Sequence, residues 1–302
     1  MVKQAHKKQV RKPRSAQWGL WLLGARPRTW PASVVPVAVG TAAVAPDVIW
    51  WRAAMALVVA WAFQVGVNYA NDYSDGIRGS DAHRVGPIRL VGAGMASPAT
   101  VRMAAVASFG VACVAGLLLV VVPDWGETAW WLLLVGVACI LAGWFYTGGK
   151  RPYGYFGFGE LFVFVFFGLV CVVGTAFVQT EAISGLAIAA AVPVGLVGCA
   201  LLMANNLRDI ATDEQSGKLT LAVRLGERWA VWAYLVMVFG AIGSAVALVV
   251  VRPWAPLTLI SLAVAVVVGR LAFVQEHRAL LLAQTARLQW LLGALLTLAL
   301  AL

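Results

Sequence analysis

Long apolar runs recur along the whole chain and limit its fold more than any other feature of the sequence. Nine of them approach the roughly 20 residues that a helix needs to cross a hydrocarbon core of about 30 Å. They lie at about 28–45, 49–71, 99–122, 127–147, 156–178, 183–206, 229–250, 254–273 and 285–302. Such runs are too long for the alternating strands of a membrane barrel, and helices satisfy their own backbone hydrogen bonds in lipid. The sequence therefore predicts an all-α integral membrane protein with nine transmembrane helices.

Lysine and arginine residues are unevenly distributed between the two ends of these helices. If the N-terminus is cytoplasmic, 21 of the 23 basic residues fall at cytoplasmic ends, and only Arg52 and Arg252 fall at the other ends. Because basic residues concentrate on the cytoplasmic side of membrane proteins, this pattern predicts a cytoplasmic N-terminus in a multi-pass protein of the plasma or inner membrane. The net charge of +10 is then a topology signal and does not indicate nucleic-acid binding.

The N-terminal residues differ in character from the rest of the chain. Residues 1–17 are basic and are not followed by the short apolar core and small-residue cleavage site of a signal peptide. We interpret them as a disordered cytoplasmic tail, and residues 18–302 as a single transmembrane domain. The four cysteines each lie alone within an apolar run, which favours a packing role over a disulfide framework or a zinc site.

Two similar polar clusters each end an apolar run, 137 positions apart. Their polar residues recur at i, i+4 and i+7 in the first cluster and at i, i+4 and i+8 in the second, which gives one stripe along a helix in each case. The members are Asn68, Asp72 and Asp75, and Asn205, Asp209 and Asp213. The offset equals four helices, so both stripes end on the same side of the membrane. This predicts two parallel four-helix repeats plus one helix, whereas many transporters have inverted repeats.

These acids require partners. A charged side chain at membrane depth costs about 2.5 to 3.5 kcal/mol, and like charges at helical spacing repel each other. Oxygen ligands from Asp and Asn suit Mg²⁺, which shares its coordination with phosphate oxygens. Five aspartates with a diphosphate would carry more negative charge than two Mg²⁺ neutralise, and basic residues on the same side can supply the remainder. These are Lys150, Arg151, Arg208, Lys218, Arg84 and Arg28.

Two further acids have simpler interpretations. Asp81 is either a metal ligand or a solvated loop residue, and both remain open. Glu160 follows a glycine-rich loop at the start of the fifth apolar run, where an acid is favourable at a helix N-terminus. Proton acceptance is the alternative role for Glu160.

Four stretches together resemble one known family. They are ARPRTWPAS (25–33), NYANDYSDGIRGSDAHRVGPIRLV (68–91), YTGGKRPYGYFGFGE (146–160) and NNLRDIATDEQSGKLTLAVRLG (205–226). With the NDxxD pattern at Asn71–Asp75 and DxxxD at Asp209–Asp213, the chain resembles the UbiA superfamily of intramembrane aromatic prenyltransferases. The residues of these motifs resemble most the naphthoate branch, the 1,4-dihydroxy-2-naphthoate polyprenyltransferases. Gly79 stands where most of the superfamily has a third acid, and Asp81 follows two residues later, as in that branch.

The resemblance implies a reaction and a set of site residues. Polyprenyl diphosphate, bound through two Mg²⁺, would alkylate 1,4-dihydroxy-2-naphthoate with loss of CO₂ to give a demethylmenaquinone. One Mg²⁺ would be held by Asn68, Asp72 and Asp75 and the other by Asp209 and Asp213, with Asp81 as a further candidate ligand. Tyr146 would lie near the reacting carbons. The implied substrate-binding residues also include Asn71, Lys150, Arg151, Asn205, Asn206, Arg208, Lys218, Arg84 and Arg28.

Two alternative functions are consistent with the same residues. A related enzyme could use 4-hydroxybenzoate or homogentisate as the acceptor, and only the resemblance of the motif residues to the naphthoate branch favours the naphthoate. From another class, a cation-coupled transporter could use the acids as an ion path. The parallel repeat and the position of the acids on one side count against transport.

Overall fold

The computed structural model describes residues 14–80, 88–122 and 130–302, and the regular secondary structure within these ranges is helical. Residues 1–13 lie outside the described residues, so the predicted disordered tail stays a prediction. Asp81 and Arg84 also lie outside them, and so do their predicted roles. The prediction of an all-helical membrane protein is confirmed for the described ranges.

Ten of the described helices have more than ten residues, and they are numbered here in chain order. They are α1 (Arg14–Ala25), α2 (Pro31–Ala42), α3 (Trp50–Arg78), α4 (Pro98–Val121), α5 (Trp130–Phe145), α6 (Gly159–Thr180), α7 (Gly185–Gln215), α8 (Leu221–Ala247), α9 (Ala255–Ala272) and α10 (Arg278–Ala301). Helix α6 contains a π-helical segment at Phe164–Val170, and α9 begins with a 3-10 segment at Ala255–Ser261.

Seven of the described helices, α3, α4 and α6 to α10, are long and apolar enough to cross a membrane. Helices α2 and α5 correspond to the first and fourth predicted spans but have only 12 and 16 residues. At 1.5 Å per residue the described parts cover roughly 18 and 24 Å, and residues 123–129, which precede α5, lie outside the described residues. The described structure thus supports seven full-length spans and two shorter apolar helices.

The two helices that carry the acidic stripes extend beyond their predicted ends. Helix α3 continues to Arg78 and α7 to Gln215, so both stripes lie on helical backbone, as their spacing predicts. Helix α3 is ended by Gly79, whose φ of 76° is a left-handed conformation that glycine adopts without strain. The acids therefore lie in the last two to three turns of α3 and α7, where their side chains are buried.

The interior is formed mainly by α2, α6, α7, α8, α9 and α10, which contribute one continuous cluster of buried apolar residues. Helix α10 lies against α2 and α7, while α3 packs on α4 and α7 on α8. The π-helical segment of α6 approaches α7 closely, because a Cβ added to Gly168 would lie 2.7 Å from the Cα of Gly195. Small residues at such crossings allow close packing without a hydrophobic driving force.

Helix α1 is not among the predicted elements. It packs on α3, where the rings of Trp21 and Tyr69 meet at 5.8 Å and the Tyr69 hydroxyl donates to the Trp21 carbonyl oxygen. The apolar pattern of residues 18–25 is too short for a span, which is why hydropathy alone does not detect it. Helix α1 therefore packs against the part of α3 that carries the first stripe.

Candidate active site

One elongated cavity of about 1030 Å³ joins the two polar clusters. Its polar end is lined by residues of both: Asn68, Asn71, Asp75, Asn205, Asn206, Arg208 and Lys218. Along α3 the lining residues extend from Asp75 back to Ala56, which is about 28 Å at the rise of a helix. The remainder of the wall is largely apolar and comes mainly from α4, α5 and α6, with further residues from α1, α2, α7 and α10. The cavity therefore has a polar end between two helix termini and a long apolar extension at membrane depth.

The asparagines of the first stripe are fixed by hydrogen bonds. The Asn68 side-chain amide donates to the Ala25 carbonyl oxygen at 3.0 Å and to Thr29 Oγ1 at 3.1 Å. Since both donor hydrogens are used, the group that Asn68 can offer to a ligand is its amide oxygen. Asn71 accepts a hydrogen bond from Thr147 Oγ1 at 2.8 Å, which ties the loop after α5 to α3.

Asp75 is the acid of the first stripe that lines the cavity. It is 1% exposed, and its Oδ1 accepts a hydrogen bond from the Tyr155 hydroxyl at 2.9 Å. Its Oδ2 lies 3.7 Å from Lys218 Nζ and 3.8 Å from Arg89 Nη2. Three segments far apart in sequence therefore meet at one carboxylate, and two of them bring positive charge.

Asp72 lies behind the cavity wall. It is fully buried, and its two carboxylate oxygens accept hydrogen bonds from the backbone N–H groups of Leu90 at 2.8 Å and Val91 at 3.0 Å. Asp72 and Asp75 thus have different surroundings, although the helical spacing predicts the same position on the stripe for both.

The second stripe is organised around Arg208. Its guanidinium donates to both carboxylate oxygens of Asp209 at 2.7 Å and to Asn205 Oδ1 at 2.7 Å. Asn206 donates to Glu160 Oε1 at 3.0 Å across the contact between α7 and α6. Asp209 and Asp213 are buried next to the wall, while Arg208 and Asn206 line it. Bidentate pairing of this kind is strong and holds the arginine in a defined orientation.

Other predicted residues are divided between the cavity and the surface. Tyr146 and Arg28 line the cavity, whereas Lys150 and Arg151 are exposed and lie outside its wall. Burial, and then the negative charge of Glu160, raises the pKa of Tyr146 well above its ordinary value. Its hydroxyl therefore stays protonated and can donate a hydrogen bond, but cannot act as a base near neutral pH.

Several functional residues were missed by sequence reasoning. Arg26 and Arg89 line the cavity, and Tyr155 contacts Asp75. All three lie within the motif stretches, but nothing in a linear pattern distinguishes them from neighbouring basic and aromatic residues. The structure singles out Arg26 in another way, since it is a non-glycine residue with φ of 50° between α1 and a 3-10 turn at Pro27–Thr29. Such backbone conformations concentrate at functional sites.

The oxygen donors of the polar end fit a hard divalent cation. Within the described residues, no three His, Cys, Asp or Glu side chains come together as a metal cluster. A metal would therefore need amide oxygens and ligands from a substrate or water beside one or two carboxylates. Mg²⁺ binds in this way, because it keeps part of its octahedral coordination for water and phosphate oxygens.

The hydroxyl of Tyr155 gives the first testable prediction. Burial, and then the charge of Asp75, raises the pKa of Tyr155, so this group donates to Asp75 and does not ionise in the neutral range. We expect Tyr155→Phe to lower kcat/KM about tenfold by removing one hydrogen bond to a buried charge. The alkaline limb of the pH profile should be the same in both proteins up to about pH 10, the ordinary pKa of tyrosine. A limb that disappears in Tyr155→Phe would contradict this role.

The comparisons with known proteins agree with this geometry. Residues 33–292 match the UbiA prenyltransferase family. The chain is 52% identical over 214 residues to the 1,4-dihydroxy-2-naphthoate octaprenyltransferase of Mycobacterium tuberculosis, covering 70% of this chain and 72% of the relative. The protein of the same name from Escherichia coli is 38% identical over 217 residues, covering 68% of each chain.

Solved structures share the fold at low sequence identity. A UbiA homolog from Archaeoglobus fulgidus, solved bound to DMAPP and Mg²⁺, superposes with a TM-score of 0.64 at 15% identity. The alignment covers 93% of this chain and 99% of that one. The same homolog bound to GPP and Mg²⁺ gives a TM-score of 0.65 at 14% identity, with the same coverage.

Proposed function

The chain belongs to the UbiA prenyltransferase family, and on this premise we propose that it transfers a polyprenyl group from polyprenyl diphosphate to 1,4-dihydroxy-2-naphthoate. The carboxyl group leaves as CO₂, the diphosphate is released, and the product is the prenylated naphthalenediol, a demethylmenaquinol, which is a precursor in menaquinone biosynthesis. The observation that carries the proposal is that one cavity reaches the polar clusters at the ends of α3 and α7 and continues into a long apolar extension. Relatives named 1,4-dihydroxy-2-naphthoate octaprenyltransferase support the choice of acceptor.

We propose that the polar end binds Mg²⁺, and that two ions bind. Asn68 and Asp75 line the cavity and offer oxygen ligands for one ion, and Asp72 lies next to them on α3. Asp209 and Asp213, which are buried, are the proposed ligands of the second ion. The homolog from Archaeoglobus fulgidus bound to Mg²⁺ and prenyl diphosphates supports the use of a divalent ion. When bound, the metal supplies charge stabilisation for the departing diphosphate.

The diphosphate is held by the basic residues at the polar end. Arg28, Arg89, Arg208 and Lys218 line the cavity, and arginine is suited to bidentate contacts with phosphate oxygens. Lys150 and Arg151 remain predicted contacts from the exposed loop after α5. Positive charge on several sides stabilises the negative charge that develops when the allylic carbon–oxygen bond breaks.

The remaining residues position the reactants and exclude water. Tyr146, with its hydroxyl protonated, lines the cavity within electrostatic reach of Asp75 and Asp213, where it can orient the acceptor ring by a hydrogen bond. The surrounding wall is mostly apolar, so little water is available near the allylic cation, and the cation reacts with the ring of the acceptor. Exclusion of water matters because hydrolysis would yield only a prenyl alcohol.

We propose that nine helices lie in the membrane, with α2 and α5 as shorter members. The N-terminus and the polar end of the cavity then face the cytoplasm of a plasma or inner membrane, where the positive-inside pattern puts the basic loops. The isoprenoid tail occupies the apolar extension. The acceptor and the diphosphate group reach the polar end from the cytoplasmic side.

A glycine in the apolar extension gives a prediction on the tail. Gly174 lines the cavity, and a Cβ added there would meet nothing within 4 Å. We expect Gly174→Leu to fold normally and to lower kcat/KM for octaprenyl diphosphate about tenfold, because overpacking costs roughly 1 to 3 kcal/mol. Transfer from geranyl diphosphate should change much less. Gly243→Leu is the matched control, since Gly243 has the same open space and lies outside the cavity wall.

The proposed activity is tested with the purified protein in lipid nanodiscs. Octaprenyl diphosphate and 1,4-dihydroxy-2-naphthoate should yield CO₂, diphosphate and a prenylated naphthalenediol, and EDTA should stop the reaction until Mg²⁺ is restored. Transport is tested separately in proteoliposomes with a fluorescent Mg²⁺ indicator. Cation flux without any prenylated product would overturn the enzyme proposal in favour of a transporter.

A further inference from the structure

The segment at residues 88–91 is attached to α3 through Asp72. Its two carboxylate oxygens bind the adjacent N–H groups of Leu90 and Val91 at 2.8 and 3.0 Å. Hydrogen bonds from N–H groups to a buried carboxylate are charge-assisted and about twice as strong as neutral ones. Asp72 is fully buried and lies outside the wall of the cavity.

The packing around this attachment is close on both sides. Leu90 is 1% exposed and belongs to an apolar cluster with Ala25 and Tyr69. Val91 lies so near α3 that a Cβ added to Gly76 would be 2.4 Å from Val91 Cγ1. The glycine four residues after Asp72 therefore creates the space in which this segment lies against the helix.

The residue immediately before the attachment is Arg89. It lines the cavity, is 8% exposed, and its Nη2 lies 3.8 Å from Asp75 Oδ2. The backbone of the next two residues is fixed by Asp72, so the direction in which Arg89 enters the cavity is fixed with it. Asp72 thus fixes the backbone next to Arg89 from behind the cavity wall, and Asp75 approaches the Arg89 guanidinium within the cavity.

We propose that Asp72 is a positioning residue, which holds Leu90 and Val91 so that Arg89 reaches the diphosphate end of the cavity, and that Asp75 alone of the two acids contacts metal. This inference rests on the proposed function for the identity of the ligand. It differs from the assignment that the linear motif implies, in which both acids of the stripe ligate one ion. Distances of 2.8 and 3.0 Å to two backbone donors are those of full hydrogen bonds.

The first test uses the unmodified protein, so it does not depend on a variant that folds. Hydrogen exchange of the Leu90 and Val91 amides is measured in nanodiscs without additives, with Mn²⁺, and with Mn²⁺ and inorganic pyrophosphate. The proposal expects exchange that is unchanged or slower with the additives. If Asp72 turned to the metal, these amides would lose their acceptors and exchange about tenfold faster or more, which would overturn the proposal.

The second test compares Asp72→Asn with Asp75→Asn. Mn²⁺ affinity, measured by electron paramagnetic resonance, should stay within about threefold of the unmodified protein in Asp72→Asn and fall about tenfold or more in Asp75→Asn, in line with loss of a charged ligand. Equal losses in the two variants would contradict the proposal. Neither binding readout requires turnover, so the proposal can fail while the prenyl transfer assay succeeds, and the reverse.

A double-mutant cycle tests whether Asp72 acts through Arg89. Pyrophosphate affinity is measured for Asp72→Asn, Arg89→Ala and the double variant. The proposal expects strong non-additivity, with Asp72→Asn adding little once Arg89 is gone, because coupled residues depart from additivity. Full additivity of the two losses would mean that Asp72 acts on the ligand by another route, and the positioning role would be rejected.

Discussion

Replacing Asp75 by alanine is expected to lower kcat/KM for prenyl transfer by about 10³-fold or more, which corresponds to roughly 4 kcal/mol of transition-state stabilisation. The carboxylate lies in the cavity, and it is the point at which Tyr155, Lys218 and Arg89 converge. Its loss would remove a proposed metal ligand and the carboxylate that Lys218 and Arg89 both approach. Initial rates over a range of Mg²⁺ and prenyl diphosphate concentrations measure the effect.

Two variants serve as controls for this prediction. Asp47→Ala removes an acid beyond the opposite end of α3 and should leave kcat/KM within about twofold, as for most surface substitutions. Asp75→Asn keeps the size of the side chain and one acceptor oxygen for Tyr155, and should still lose most of the activity. An active Asp75→Asn protein would mean that the negative charge is dispensable, against the metal site proposed here.

Replacing Asp209 by alanine is expected to be equally severe. Asp209 lies outside the cavity wall, and both of its carboxylate oxygens accept hydrogen bonds of 2.7 Å from the Arg208 guanidinium. Arg208 lines the cavity and is mostly buried, so its position depends on this pair. We expect a loss of about 10³-fold in kcat/KM, together with weaker binding of pyrophosphate.

Stability must be measured alongside this variant. Removing one partner of a buried ion pair costs roughly 3 to 5 kcal/mol, so Asp209→Ala should also lower the melting temperature. Asp209→Asn is the matched control, because it retains an acceptor for Arg208 and should melt closer to the unmodified protein while remaining inactive. Activity in a stable Asp209→Asn protein would contradict the role of this acid as a ligand.

The fold was predictable from the sequence where one physical signal dominates. Apolar runs determine the long helices, and the bounds of α4 differ from its predicted span by one residue at each end. Helix α1 escaped detection because its apolar face is short and it packs on α3 instead of crossing a membrane. Helix α2 is shorter than its predicted span because hydropathy does not reveal where a helix ends inside an apolar run.

The candidate site was predictable at the level of motifs. Helical spacing puts Asn68 and Asp75 on one stripe, and both line the cavity. The same spacing treats Asp72 as their equal, whereas its surroundings are set by Leu90 and Val91, whose contact with α3 depends on tertiary packing. Long-range contacts such as that between Tyr155 and Asp75, 80 residues apart, have no local signature in the sequence.

The choice of acceptor is the central claim, and a competition assay tests it most directly. The purified protein in nanodiscs is incubated with Mg²⁺, octaprenyl diphosphate and an equimolar mixture of 1,4-dihydroxy-2-naphthoate, 4-hydroxybenzoate and homogentisate, and the products are identified by mass. The account predicts octaprenylated, decarboxylated naphthalenediol as the main product. Prenylation of 4-hydroxybenzoate or homogentisate with the naphthoate left unreacted would contradict it.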